Sequence, residues 1–168
     1  MDNVSLITII SKNKVGMLSQ YTKIFREYDL NIESLSVSKI DAENKVHKIT
    51  AYLTGNRERT DRVCKKIEAI EGVYKVVNLM AHEGYFEREL GIVKILNSNE
   101  NTQKAMEVVN EFGASTVYSV GNISIFEITD FEEKVSEFIN KMSKTCKAEI
   151  LRSGIVATSL DEELILYK

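Results

Sequence analysis

The feature that most constrains this chain is that one order of secondary-structure signals runs through its first half and then starts again. Val4 to Ile10 is a short apolar run rich in β-branched side chains, the mark of a buried strand. The polar turn Lys12-Asn13-Lys14-Val15-Gly16 follows. Leu18, Tyr21, Phe25 and Tyr28 then recur at helical spacing, with Ser19, Gln20, Lys23, Arg26 and Glu27 opposite. Asp29-Leu30-Asn31 stops that helix, since Asp and Asn tolerate the left-handed backbone that ends helices. Residues 32–40 and 46–54 alternate with period two around Asp41-Ala42-Glu43-Asn44, a hairpin. That hairpin puts Leu35, Val37, Ile49, Ala51 and Leu53 on one face and Ser34, Ser36, Ser38, Lys48 and Thr50 on the other. A helix with Val63, Ile67 and Ile70 at its packing positions runs to Gly72, and Val73 to Leu79 closes a βαββαβ order.

The pattern then restarts. Leu90 to Leu96 reads as a strand, and Ala105, Val108, Val109 and Phe112 as a helix face ending at Gly113. Ser115 to Val120 and Ile123 to Ile128 flank Gly121-Asn122, a two-residue hairpin signal. Phe131, Val135, Phe138 and Met142 mark a second helix, Ala148 to Leu151 a further strand, and Gly154 to Ser159 one more short strand. The reading is α+β: two consecutive modules over 1–80 and 90–168, joined by a polar connector over 81–89. Such modules carry both helices on one face of an antiparallel sheet and leave the other face uncovered. Modules of this size bury little surface alone, and open edges invite a second copy, so a homodimer is expected.

Composition narrows the functional classes. Over 168 residues, 43% hydrophobic and 28% charged content describe an ordinary globular chain. The formal net charge of −3, with no dense Lys/Arg block, argues against nucleic acid. A ferredoxin-like sheet that binds RNA needs exposed aromatics on its central strands, whereas Ser and Thr hold most of that face here. No apolar run approaches a membrane span, and the opening residues lack a signal-peptide pattern. Cys64 and Cys146 are isolated, which suits a reducing, cytoplasmic setting.

Catalytic chemistry is missing. No phosphate loop, nucleophile elbow or metal-ligand spacing is present, so no catalytic and no metal-binding residue is assigned. His47 and His82 each stand alone. Glu83, Glu87 and Glu89 read as a solvated charged linker. Cys64 lies beside Lys65 and Lys66, but its position near a helix packing stripe favours burial over reactivity.

One constellation remains: Asn13-Lys14-Val15-Gly16 before the first helix, and Asn31-Ile32-Glu33-Ser34-Leu35 after it. A helix amino terminus presents free N–H groups and a positive dipole end to a carboxylate, and glycine there lets a ligand approach the backbone. Asn13 and Asn31 add side-chain amides. On spacing alone a second reading stands beside this one: Asn13 caps a turn, Gly16 relieves it, and Asn31 ends a helix.

The Asn-x-x-Gly loop and the element order resemble an ACT domain, the amino-acid-sensing module of biosynthetic enzymes. Asn31-Ile32-Glu33-Ser34-Leu35, Glu87-Arg88-Glu89-Leu90 leading into Val93-Lys94-Ile95, and Arg152-Ser153-Gly154-Ile155-Val156-Ala157 resemble the small subunit of acetolactate synthase (acetohydroxyacid synthase). The resemblance implies two ferredoxin-like βαββαβ modules, an N-terminal ACT domain and a C-terminal variant. It implies a regulatory subunit that activates a separate catalytic subunit and confers feedback inhibition by valine in branched-chain amino-acid biosynthesis. Thiamine diphosphate, Mg and FAD are then expected in the catalytic partner and no cofactor in this chain. Carried over by position, Asn13 and Gly16 hold the effector carboxylate and Asn31 and Ile32 contribute from the other protomer of an ACT dimer. Val15, Met17 and Leu18 form the apolar pocket. Two alternatives stay open: a free-standing ACT sensor serving another enzyme or regulator, and a small ligand- or metal-binding enzyme using the second module.

Overall fold

In a computed structural model that describes residues 4–162 and 164–166, the repeated order becomes two sheets of the same topology. The first half forms β1 (Val4–Lys12), α1 (Met17–Glu27), β2 (Leu30–Asp41), β3 (Val46–Gly55), α2 (Thr60–Glu68) and β4 (Val73–Asn78). Its sheet runs β2-β3-β1-β4 with every neighbouring pair antiparallel. The second half forms β5 (Tyr85–Leu96), α3 (Asn99–Phe112), β6 (Ser115–Val120), β7 (Ile123–Asp130), α4 (Glu132–Thr145) and β8 (Ala148–Arg152), in the order β6-β7-β5-β8. A last strand, β9 (Val156–Ser159), pairs with β5.

The period-two reading of the first hairpin holds in register. Leu35 lies opposite Ala51 and Val37 opposite Ile49, while Ser34, Ser36 and Ser38 face Tyr52, Thr50 and Lys48. Ile7 and Ile9 pack with Tyr21, Phe25, Val63 and Ile67 in one core, and Val93 and Ile95 with Val109, Phe126, Phe138 and Met142 in the other. The packing stripe of α1 differs from the expected one. Its buried residues are Met17, Tyr21, Ile24 and Phe25, whereas Leu18 is exposed. At 3.6 residues per turn, a stripe anchored on Tyr21 and Phe25 extends equally well through 17 and 24 as through 18 and 28.

The chain divides into Met1–Phe86 with Ile155–Lys168, and Glu87–Gly154. This revises the expected layout twice. The stretch 81–89 is no simple connector, because strand β5 already begins at Tyr85. The residues after Gly154 return to the first unit instead of finishing the second.

The outer face of the first sheet is accordingly not left bare. Leu6, Thr8 and Ile10, which point away from the helices, are all 1% exposed or less. Leu6 clusters with Val77, Leu79 and Ile155, against which Tyr52, Ala157 and Ile165 pack. Ile155 N–H donates to Ser34 Oγ at 3.0 Å, and Leu160 N–H to the Gly84 carbonyl at 3.0 Å. His82, lone in sequence, meets the Asp161 carboxylate through Nδ1.

Candidate functional site

The loop between β1 and α1 is held from below. Asn13 N–H donates to the Lys45 carbonyl at 2.7 Å, tying the loop to the turn of the β2–β3 hairpin. Gly16 precedes the helix with φ +86, a left-handed backbone that an L side chain adopts only under strain. Nothing lies within 4 Å of where its Cβ would stand. Met17 N–H donates to the Lys14 carbonyl at 3.2 Å and Gln20 N–H to Gly16 at 3.1 Å. Helix geometry leaves the Leu18 and Ser19 amides between them without an intrahelical acceptor. No side chain caps this end of the helix, and no acidic residue stands in its first turn.

The matching place in the second unit is built the opposite way. There Asn97 N–H donates to the Asn122 carbonyl at 2.8 Å, the same tie from loop to hairpin turn. Ser98, however, accepts from the Asn101 amide, Asn97 Nδ2 donates to the Gly121 carbonyl, and Thr102 Oγ1 leans on Asn97 Oδ1. That helix mouth is closed by its own side chains, and Glu100 adds a negative charge to it. The two repeated corners thus differ: the first helix mouth has neither a side-chain cap nor an acidic residue, and the second has both.

The remaining expected site residues fall in different places. Asn13, Val15 and Leu18 are exposed beside the helix mouth. Met17 lies apart from them, its side chain 6% exposed within the first core. Asn31 and Ile32 lie at the start of β2, where Asn31 is level with Thr54, the residue that also pairs with Val4. Asn13 follows the other end of β1, so within one chain the two groups stand roughly 30 Å apart along the strands. Asn31 Nδ2 donates to Glu33 Oε1 at 2.8 Å, and Thr54 Oγ1 donates to the same oxygen at 2.6 Å. Those bonds, from Thr54 first and Asn31 second, hold the Glu33 carboxyl below its usual range. Ile32 packs against the first core. Asn31 is therefore a strand residue, and the left-handed position after α1 belongs to Asp29 at φ +54.

A second polar centre was invisible in sequence. Glu89, read as part of a solvated linker, is 2% exposed. Arg152 forks onto it, Nε to Oε1 at 3.0 Å and Nη2 to Oε2, and also donates to Ser136 Oγ at 3.0 Å and Glu132 Oε1 at 3.1 Å. Glu87 accepts from the Glu132 amide at 3.1 Å, and burial pushes its carboxyl above the usual range. The Arg88 guanidinium lies 4.3 Å from the Phe131 ring centroid. This network ties β5 to β8 and to the start of α4. It explains the Glu87-Arg88-Glu89 and Arg152-Ser153 motifs as architecture, in which the Glu89 carboxylate and the Arg152 guanidinium satisfy each other.

Cys64 is half-buried, and desolvation pushes its thiol up to about 12, which keeps it protonated at neutral pH. Among the described residues no group of His, Cys, Asp and Glu has the makings of a metal site, and no helix is long and apolar enough to cross a membrane.

Comparison with known proteins covers both units. Residues 7–75 match the family of acetohydroxyacid synthase small-subunit-like ACT domains, and residues 88–160 match the family described as the small subunit of acetolactate synthase. The chain is 30% identical over 151 residues to a probable acetolactate synthase small subunit of Archaeoglobus fulgidus, covering 90% of this chain and 93% of that one. It is 28% identical over 153 residues to the acetolactate synthase small subunit of Buchnera aphidicola, covering 90% and 95%. Among solved structures, the acetolactate synthase small subunit of Thermotoga maritima superposes with a TM-score of 0.76 at 25% identity, over 92% of this chain and 96% of that one.

Proposed function

The chain belongs to the acetolactate synthase small-subunit family, and from that premise we propose that it regulates a separate catalytic subunit by sensing a branched-chain amino acid, valine first among them. The observation that carries the reading is the contrast between two repeated corners: the mouth of α1 is uncapped and headed by Gly16 at φ +86, while the mouth of α3 is closed by Ser98. An unspent pair of amides at the positive end of a helix suits a carboxylate.

The distance between Asn13 and Asn31 within one chain supports a site shared by two copies. One copy supplies the loop Asn13–Gly16 and the other Asn31 and Ile32 from the start of β2. In this arrangement Val15 and Leu18, exposed beside the helix mouth, receive the aliphatic side chain. Met17 stays in the first core, its amide held by the Lys14 carbonyl. Sensing becomes regulation when the effector prefers one arrangement of the dimer over another; a preference of about 1.4 kcal/mol shifts the balance tenfold. In this reading the chain supplies no reacting group. Thiamine diphosphate, Mg and FAD reside in the cytoplasmic catalytic partner, which the small subunit activates.

Calorimetric titration with valine, leucine and isoleucine tests the site. Gly16→Asp is expected to abolish the valine signal through bulk and like charge. Gly16→Ala carries the same backbone strain without the charge and is expected to retain measurable, weaker binding. Full valine affinity in the aspartate variant would sink the assignment. Co-purification tests the partner: a large thiamine-diphosphate enzyme is expected to accompany this chain, and its absence argues for the free-standing sensor.

A further inference from the structure

The two sheets end in four outer strands of unlike character. β2 carries Glu33, Lys39 and Asp41, β4 carries Lys75, and β8 carries Glu149 and Arg152. β6 reads Ser-Thr-Val-Tyr-Ser-Val, with no charge, no proline and no glycine, and all 6 of its residues are exposed. It stands at the end of its sheet, bonded on one side to β7 alone. Natural proteins usually blunt such an edge with charge, because its free N–H and C=O groups template another strand. Valine, threonine and tyrosine also favour the extended backbone.

We propose that β6 is a self-association edge at which a second copy of this chain adds its own β6 antiparallel across a two-fold axis. The sequence is self-complementary about a point between Val117 and Tyr118. That register sets Val117 against the second copy's tyrosine, Thr116 against its serine, and Ser115 against the final valine. Faces agree as well as residue types. Thr116 and Ser119 are level with Phe126 and Ser124, both buried beneath the sheet, whereas Ser115 and Val120 are level with Glu127 and Ile123 on its outer side. Hydroxyl thus meets hydroxyl inward, while outward valine meets tyrosine beside the axis and serine meets valine at each end. A two-fold axis sets each edge against its own copy, so any charge near the axis would meet its like, and β6 has none. The bulge at Val117 is the one blunting device present, and the axis places bulge beside bulge, so the strands bend together. The contact uses the second unit only and stands apart from the effector proposal.

Sedimentation equilibrium on the full chain tests the pairing. Ser115→Lys and Val120→Glu, each alone, are expected to weaken self-association by about tenfold. The double variant places each lysine opposite the other copy's glutamate and is expected to recover the parent value. Single variants that sediment as the parent does, or a double variant as dissociated as the singles, would overturn the proposal. Hydrogen exchange on the unaltered chain gives a second reading: β6 amides are expected to gain protection with concentration, and unchanged exchange across that range refutes the edge pairing.

Discussion

Glu89 and Arg152 show how burial, more than charge, decides what a residue is worth. Exposed pairs such as Lys104–Glu100 contribute little, but a carboxylate that is 2% exposed depends on its guanidinium. Arg152→Ala is expected to cost about 3–5 kcal/mol in urea unfolding, because it strands a buried charge. Arg152→Lys is expected to recover only part, since an ammonium cannot fork. Glu87 gives the pH dependence. Its folded carboxyl sits above the unfolded value, chiefly through burial, so the stability it contributes is full below the unfolded pKa and is lost as pH rises through the folded one. Glu87→Gln keeps an acceptor for the Glu132 amide. The variant is therefore expected to gain on the parent as pH climbs to neutrality, as chemical denaturation at a series of pH values will show. Cys64, with its thiol pushed up to about 12, is expected to resist iodoacetamide in the native protein and to react on unfolding, as mass spectrometry will report. These roles were hidden in sequence because Glu87 and Glu89 stand among charged neighbours, and only the partner 63 residues away reveals their burial.

Gly91 shows the same dependence on a distant neighbour for an element. It sits where β5 passes under α4; a Cβ there would lie 3.0 Å from Val135 Cγ1 and 3.2 Å from Ile128 Cγ2. Gly91→Ala is expected to cost about 1–3 kcal/mol by overpacking, measured by thermal or urea unfolding. Strands and helices themselves were largely legible. Period two fixed the β2–β3 register, Gly113 stopped α3, and Gly121-Asn122 turned the second hairpin, since each rests on local chemistry. The face of α1 slipped because local periodicity cannot choose between Met17 and Leu18; that choice is made by Ile7, Ile9 and the strands behind. For the candidate site, Asn13 and Gly16 were readable from their spacing before a helix only as candidates, for a ligand loop and a plain turn alike. The uncapped state of that helix was not, because it is defined by which side chains fail to reach back.

Across the whole molecule, the unexpected feature is a first unit assembled from both ends of the chain. Ile155, 1% exposed against Leu6 and Val77, anchors the returning segment. Ile155→Ala is expected to destabilise that unit by about 2–5 kcal/mol. Removal of everything after Gly154 is expected to raise binding of an apolar dye, because Leu6 and Val77 lose their cover. No pattern in residues 155–166 announces this destination; a short β-branched stretch pairs with whichever strand the finished fold offers. The order of synthesis gives the arrangement its consequence. As the chain leaves the ribosome, the first sheet's outer face lacks the cover of Ile155 and the residues after it while Glu87–Gly154 is being made. At roughly 5–20 residues per second that interval lasts several seconds. Through it the nascent first unit shows water an apolar surface, which a chaperone can hold until the closing strand arrives.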